Sequence, residues 1–426
     1  MKNQIVRAKC VDMSVDGKGI AKSNDYVIFV KDMIVGEEAD IKIISEKKNY
    51  AYGIIDKMIV PSKNRVIPDC KISYKCGGCD YRYIEYNYQL KLKKAVLDNT
   101  FKNYHVLDII PDNDPYYYRN KVQVPVKDHK LGFYRKYSND IVEFDDCKIE
   151  SKIANKIIDD LKKLLINTSI EKCFRHIIIK HGFGTDEIMV CFVVTTFNLN
   201  IDDIVSFLIN KYSDIKSIML NLNDKDTNVI LGNDEKILYG RDYIYDTCED
   251  IKIKYSLKSF YQVNHCQMIK LYNVVKDYCD LSFNDEVLDL YCGVGTISLF
   301  VARHCKKVTG VEIVKEAIEN AIENAKLNDI NNANFILADA NNNMDEFLIN
   351  KDIVILDPPR KGVSKNLIDS IIKSNINKVI YVSCNPATLA RDLELFKDYY
   401  DVSDIQPVDM FPFTTHVECC LRLTRR

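Results

Sequence analysis

The 426-residue chain has no tryptophan, almost no net charge and no long apolar run. Nothing in it approaches the roughly 18 consecutive apolar residues of a membrane-crossing helix. The start, MKNQIVRAKC, lacks a secretory hydrophobic region, so the expected compartment is the cytoplasm. A formal net charge of -2 argues against a uniformly basic coat for nucleic acid, while leaving room for a local basic face. No fixed-period repeat is present. What remains is a globular chain, 47% hydrophobic, long enough for two or three domains. Its 15 cysteines are an odd number, which does not suggest a complete disulfide framework and favours metal binding or catalysis.

Residues 1–60 alternate apolar runs with turn signals at Asp16, Gly17, Gly19, Asn24, Asp25 and Gly36, the pattern of a small antiparallel barrel. Barrels of the oligonucleotide-binding type have this size, and Lys18, Lys22, Lys31, Lys47 and Lys48 could face RNA or simply solvent. Pro61 and Pro68 mark a boundary. Beyond it, Cys70, Cys76 and Cys79 follow a C-x5-C-x2-C spacing, and Gly77-Gly78 lets the backbone curl so that two thiolates can face one ion. Three cysteines call for a fourth ligand, and Cys147, in the polar turn FDDCKI, suits better than Cys173. Zinc and an iron–sulfur cluster are not separated by spacing. Residues 61–110 carry nine Lys or Arg against five Asp or Glu, interleaved with Tyr74, Tyr81, Tyr83, Tyr86 and Tyr88. Cations and rings in that mixture suit single-stranded nucleic acid, although the tyrosines would serve equally well as core. Arg119, Lys121, Arg135 and Lys136 would extend the basic face along a hairpin. Residues 151–250 mix helices and strands with little visible chemistry, and His176 and His181 read as packed or solvated.

After about residue 251 strands and helices alternate, which predicts a parallel sheet. The strand Glu286 to Tyr291 leads into CGVGT and a helix, a glycine-rich turn that brings backbone N–H groups against a ligand. Glu312, ending the next strand, suits ribose hydroxyls. The dinucleotide fingerprint would want a third glycine where Ser298 stands, so a nucleoside cofactor without a pyrophosphate, such as S-adenosylmethionine, fits better. Asp339 and Asp357 follow later strands. Val379 to Val382 is a buried-type strand stopped by Ser383-Cys384-Asn385-Pro386, and ATLARDLELF reads as the following helix. Cys384 therefore sits at a strand's carboxyl end, beside a helix N-terminus that would favour its thiolate, unless it is only a small buried hydrophobe.

Taken in order, DLYCGVGT, LDPPRKG, VSCNPATLARD and TTHVECC resemble the RNA uracil-5-methyltransferase family, which makes 5-methyluridine in tRNA and large-subunit rRNA. The start resembles that family's TRAM barrel, and YRNKVQ and GFYR its central domain. The resemblance implies an α/β, class I (Rossmann-like) methyltransferase domain at 251–426. It also implies an OB-like β-barrel (TRAM) at 1–60, binding RNA, and an α+β central domain at 61–250. Cys70, Cys76, Cys79 and Cys147 match the ligands of the iron–sulfur (4Fe-4S) cluster in the rRNA-modifying branch, pointing to 23S rRNA rather than a tRNA T-loop. By the same likeness Gln262, Tyr291, Thr296, Glu312, Asp339 and Asp357 surround S-adenosylmethionine, with Thr296 standing where some members have asparagine. Cys384 matches the nucleophile and Glu418 the base. Uracil C5 is a poor nucleophile, and adding a thiolate to C6 turns it into an enolate carbon that can take a methyl group. A base must then remove the C5 proton, and Glu418 would serve if apolar neighbours raise its pKa toward neutrality.

Overall fold

The computed structural model describes residues 2–23, 26–342 and 344–426; the turn signal at Asn24 and Asp25 lies outside them. The strands Ile5–Met13, Gly19–Ser23, Tyr26–Lys31, Glu38–Glu46 and Tyr50–Val60 close a barrel in which the fifth lies between the third and fourth. Side chains alternate across each strand, so Ala8, Cys10, Ala21, Ile28, Val30, Ile41, Ile43 and Ala51 fill a narrow interior. Small Ala8, Cys10, Ala21 and Ala51 share it with larger Ile28, Val30, Ile41 and Ile43, because a five-stranded barrel leaves little room.

The middle of the chain forms a six-stranded sheet, ordered Asp234–Gly240, Ile215–Leu222, Ile188–Val194, Phe174–His181, Lys121–Lys127 and Lys130–Leu131. All seven residues of Ile188–Val194 are buried because both faces are covered. Val190, Phe192 and Val194 pack with residues of the helices Lys152–Leu165 and Asp202–Lys211. Met189, Cys191 and Val193 join the core of the C-terminal half instead.

That half is built on an eight-stranded sheet, ordered Ala333–Leu337, Lys307–Glu312, Glu286–Leu290, Ile353–Leu356, Lys378–Ser383, Glu418–Arg425 and Tyr400–Val402, with Gln406–Val408 also paired to Glu418–Arg425. The first five are parallel and Glu418–Arg425 runs antiparallel to its neighbours. Val287, Ile353, Ile355, Ile380 and Val382 enter one core cluster, while Leu288, Val354, Leu356, Val379 and Tyr381 enter the other, which is why these strands read as continuous apolar runs. Strand order reverses between Glu286–Leu290 and Ile353–Leu356, the switch point at which doubly wound sheets bind ligands.

Two packing relations cut across the boundaries drawn from sequence. Residue 250 falls in the turn of a hairpin, Tyr243–Cys248 with Ile251–Ser256, whose Ile244, Cys248, Ile251 and Ile253 pack with Val287 and Ile355. The helix Tyr86–Thr100, not foreseen from sequence, puts Leu97 in one cluster with Phe101, Leu288, Val379 and Leu393. Residues 86–110 thus cover the C-terminal sheet, while Tyr88 and Leu92 also pack with Tyr81, Tyr83 and Ile84 beside the cysteine segment. No helix among the described residues is long and apolar enough to cross a membrane.

Candidate active site

Cys384 follows the strand Lys378–Ser383, and the helix Pro386–Phe396 begins two residues later with proline in its first turn. Asn385 caps that helix, its side-chain oxygen accepting from Ala387 N at 3.2 Å. Glu418 opens the neighbouring antiparallel strand. Because Ser383 pairs with Cys419, Cys384 and Glu418 stand where the next rung of that ladder would be. Asp357 follows Ile353–Leu356 on the other side, where Leu356 pairs with Tyr381. Three motifs distant in sequence thus meet at one sheet edge.

The electrostatics of this edge follow from burial. Glu418 is 3% exposed, and burial, reinforced by Asp357, pushes its carboxyl up to about 8 while Arg360 pulls it down. Burial raises Asp357 to about 7. Burial, then Glu418 and Asp357, push the Cys384 thiol up to about 11 against Arg360. The helix N-terminus therefore does not by itself yield a thiolate: desolvation and two carboxyl neighbours outweigh it. Cys384 is half-buried and lines a cavity of about 520 Å³ with Arg360, Asn385, Thr415, His416 and Lys93.

The motif residues around the cysteine hold this geometry. Asp392 is buried and accepts from Tyr381 Oη at 2.7 Å and Val363 N at 3.0 Å, tying the helix to the loop after Asp357. Gly362 in that loop has φ +76, and a Cβ there would lie 2.6 Å from both Arg391 Nη2 and Asp392 Oδ2, so another residue would be strained and would displace those side-chain ends. Asn385 Nδ2 donates to Arg360 O at 3.0 Å, positioning the arginine above the cysteine turn.

The six residues matched to S-adenosylmethionine are spread over loops that converge on the switch point. Tyr291, Glu312, Asp339 and Asp357 follow or end adjacent parallel strands. Tyr291 takes a left-handed conformation, φ 67, at the entrance to the glycine turn. Its buried hydroxyl and Asp289 Oδ1 have no hydrogen-bond partner among the described residues. Unpartnered polar atoms at this point fit a polar ligand in the turn. Glu312 accepts from Gly293 N at 3.2 Å, Ile313 N at 2.8 Å and Val314 N at 3.0 Å, which leaves lone pairs for further donors. Asp339 is held by Asn341, whose N–H groups pull its carboxyl below the usual range. Thr296 begins the helix Thr296–Ala302 and is buried; Ser298, in place of a third glycine, donates its hydroxyl to Asp289. Gln262 is buried in the loop before the helix His265–Cys279, and its carbonyl accepts from Asn120 Nδ2 at 2.9 Å. Asn120 is the asparagine of YRNKVQ.

Cys70, Cys76, Cys79 and Cys147 line one cavity of about 330 Å³, whereas Cys173 packs against the central core. Among the described residues no three His, Cys, Asp or Glu side chains are disposed around a single metal ion. Arg119 and Lys121 line this cavity as well, half-buried, with Arg119 beside Glu150 at 3.2 Å. They do not extend an exposed basic face as the sequence suggested, since in the strand entering the core their side chains turn toward the cysteines. Arg135 is exposed on the hairpin, and Lys136 is tied to Asp80 at 2.6 Å.

The cysteine loop also touches the catalytic edge. Asp80 N and Tyr81 N both donate to Phe413 O at 2.9 Å, and Tyr118 Oη donates to Pro412 O at 3.1 Å. Phe413 packs with Cys79 and Cys147. Lys93, from the helix Tyr86–Thr100, donates to Asp409 Oδ1 at 2.5 Å and His416 O at 2.9 Å, so the segment leading to Glu418 is pinned from two sides. Sequence reasoning missed Lys93 and Asp409; partners 316 residues apart leave no local signal.

A family model described as tRNA (Uracil-5-)-methyltransferase matches residues 85–426, and a TRAM domain model matches residues 1–55. Cys70, Cys76 and Cys79 lie between the two. An uncharacterized RNA methyltransferase of Bacillus cereus is 40% identical over 100% of this chain and 97% of its own length. One of Clostridium acetobutylicum is 41% identical over 96% and 94%. Among solved structures, the Pyrococcus abyssi tRNA (uracil-54, C5)-methyltransferase in complex with S-adenosyl-L-homocysteine superimposes with a TM-score of 0.82 at 28% identity, covering 98% of this chain and 99% of that one. The family match takes in the whole sheet on which Asp357, Cys384 and Glu418 meet, and the chain belongs to the RNA (uracil-5-)-methyltransferase family as an S-adenosylmethionine-dependent enzyme acting on RNA, with a TRAM barrel at its start.

Proposed function

We propose that this enzyme methylates C5 of a uridine in 23S rRNA, in the cytoplasm, through a covalent bond between Cys384 and C6 of the base. The observation that carries the mechanism is the adjacency of Cys384 and Glu418 across neighbouring strand ends, beside a cavity large enough for a base. The Cys384 thiol gives its proton to solvent in the cavity, the resulting thiolate adds to C6, and the electron pair of the C5–C6 double bond moves toward O4. S-adenosylmethionine supplies a methyl group on a sulfonium, and Gln262, Tyr291, Thr296, Glu312, Asp339 and Asp357 are the residues that would hold it. C5 gains the methyl, Glu418 takes the C5 proton, and the returning electrons expel the thiolate.

We also assign Cys70, Cys76, Cys79 and Cys147 to a 4Fe-4S cluster. A cluster takes one thiolate per iron, so its four donors ring a cavity instead of converging on one point. Its contribution would be structural, fixing the loop that bonds to Phe413. Protein purified under air should be brown, and Cys147→Ser should lose its iron as completely as Cys76→Ser. Full iron content in Cys147→Ser with loss in Cys173→Ser would move the fourth ligand. The cysteine set favours rRNA. The Pyrococcus abyssi likeness favours a tRNA T-loop as the rival target, and mapping 5-methyluridine in both RNAs from cells lacking the protein decides between them.

The raised carboxyls set opposite pH trends for rate and stability. With Glu418 near 8, only about one tenth is ionised at pH 7, and the Cys384 thiol, pushed up to about 11, is almost wholly protonated there, so kcat should climb with pH through pH 9 without levelling off. A carboxyl whose folded value exceeds its unfolded one adds stability that is present in full below the unfolded value of 4.5 and is lost as pH rises through about 8. Melting temperature should therefore fall between pH 5 and pH 8.5 while the rate rises, and Glu418→Gln should flatten part of the fall. A melting temperature that rose over this interval would contradict the assignment.

A further inference from the structure

The barrel reaches into the reaction cavity. The turn between Ile5–Met13 and Gly19–Ser23 places Ser14, Val15 and Asp16 in the wall of the cavity that Cys384 lines. The turn is internally braced: Ser14 N donates to Lys18 O at 2.8 Å, Gly17 N to Ser14 O at 2.9 Å, and Lys18 N to Ser14 Oγ at 2.9 Å. It is also set against the catalytic segment with no slack. Gly17 has φ +78, and a Cβ there would lie 2.6 Å from Thr415 Cγ2 and 3.1 Å from Tyr81 Cε1. Behind it Met13 and Ile34 of the barrel region are buried with Tyr81, Tyr83, Ile84 and Leu92, so barrel, cysteine loop and covering helix share one small core. On this fixed mount Val15 stands 68% exposed. A lone exposed valine is ordinary on a surface, but this one lies on the wall of a cavity whose other side carries Arg360, Asn385 and His416.

We propose that Val15 is a substrate-positioning residue, an apolar wedge that packs against the nucleotide flanking the target uridine and occupies the space its base leaves. This rests on the reading that the cavity receives a uridine drawn out of RNA. Extruding a base breaks its stacking on both sides, and an apolar side chain placed at the gap offsets that loss and opposes return of the base. The wedge needs rigidity and a set distance from the nucleophile, which the contacts of Gly17 with Thr415 and Tyr81 provide. A barrel that only gathered phosphates would need neither.

The test compares the full-length enzyme with Val15→Ala on two RNAs carrying the same mapped uridine: the folded rRNA fragment and a short unstructured strand. Val15→Ala should melt as the wild type does, keep its KM for S-adenosylmethionine, and raise KM for the folded RNA by about tenfold while changing that for the short strand less than twofold. A 2-aminopurine placed beside the uridine should brighten on binding to the wild type and brighten less with the variant. Unchanged kinetics on both RNAs would return Val15 to the solvated surface, and an equal loss on both would make it a general contact rather than a wedge. If the wild type transfers no methyl to either RNA, the underlying reading falls and takes the wedge with it.

Discussion

Glu418→Gln should stop the reaction after methyl transfer and leave RNA bonded to the protein. The glutamine amide keeps the shape of the carboxyl but cannot accept the C5 proton, so the thiolate has no route out of the C6 bond. A positioned base is worth typically 10²- to 10⁴-fold, and turnover should fall by that factor. A slow-migrating, methyl-labelled band should appear on a denaturing gel with ordinary, unfluorinated RNA. Cys384→Ala should bind RNA and S-adenosylmethionine yet form no such band, even with 5-fluorouridine RNA. Cys419 and Cys420 are poor rivals for the bond: both lie inside a central strand, fully buried, and burial drives both thiols far above their ordinary range. Peptide mapping should place the adduct on Cys384. An adduct in Cys384→Ala, or normal turnover in Glu418→Gln, would reverse the assignment of nucleophile and base.

The parts of this site that were legible in the sequence are those whose geometry is local. Cys384 could be placed because β-branched residues run up to it and Asn385-Pro386 begins a helix after it, and both elements form where the residues indicate. The glycine turn was legible for the same reason, with Gly293 and Gly295 at φ 56 and 82. The barrel was legible from apolar runs broken by turn residues, but the antiparallel expectation misses one seam, where Tyr26–Lys31 and Tyr50–Val60 pair in parallel. The direction of the Cys384 shift was not legible. It depends first on burial and then on Glu418 and Asp357, brought beside the cysteine by strands 34 residues or less away in sequence but joined only by the sheet. The helix-terminus argument was sound as far as it went, and lost to burial.

Arg119 and Lys121 show the converse failure. Cations in an alternating run read as a solvent face, and the alternation is real, but the face that carries them closes over the cysteine cavity. The helix Tyr86–Thr100 escaped notice because its sequence, YNYQLKLKKAVLDNT, is tyrosine- and lysine-rich and offers only a weak apolar stripe. Beside Leu92 and Leu97 it buries a lysine.

That lysine, Lys93, should prove among the most costly side chains to lose outside the reaction centre. Its side chain is 1% exposed and Asp409, its partner, 0%. The Nζ donates to Asp409 Oδ1, Phe411 O and His416 O, using all three of its hydrogens. Tyr86 Oη donates to the other oxygen of Asp409 at 2.7 Å and in turn accepts from Asp112 N at 2.8 Å. Lys93→Met keeps the length of the side chain and removes the charge, leaving a buried carboxylate with one donor and depriving His416 O of its lysine donor, while Phe411 O keeps Thr414 N and Oγ1. Breaking a buried pair in this way costs about 3–5 kcal/mol, a large part of the roughly 5–15 kcal/mol that holds a domain folded. Two readouts separate this from a generic core defect. Adding Asp409→Asn should restore part of the lost melting temperature, because the amide is neutral and can still accept from Tyr86, so the double variant should be more stable than Lys93→Met alone. At a temperature where Lys93→Met is still folded, it should bind S-adenosylmethionine normally, since Tyr291, Glu312 and Asp339 lie on other strands, yet form the Cys384 adduct slowly, because the segment 409–417 that leads into Glu418 has lost its anchor. Additive costs in the double variant, or a parallel loss of cofactor binding, would show that Lys93 supports the sheet as a whole rather than this segment.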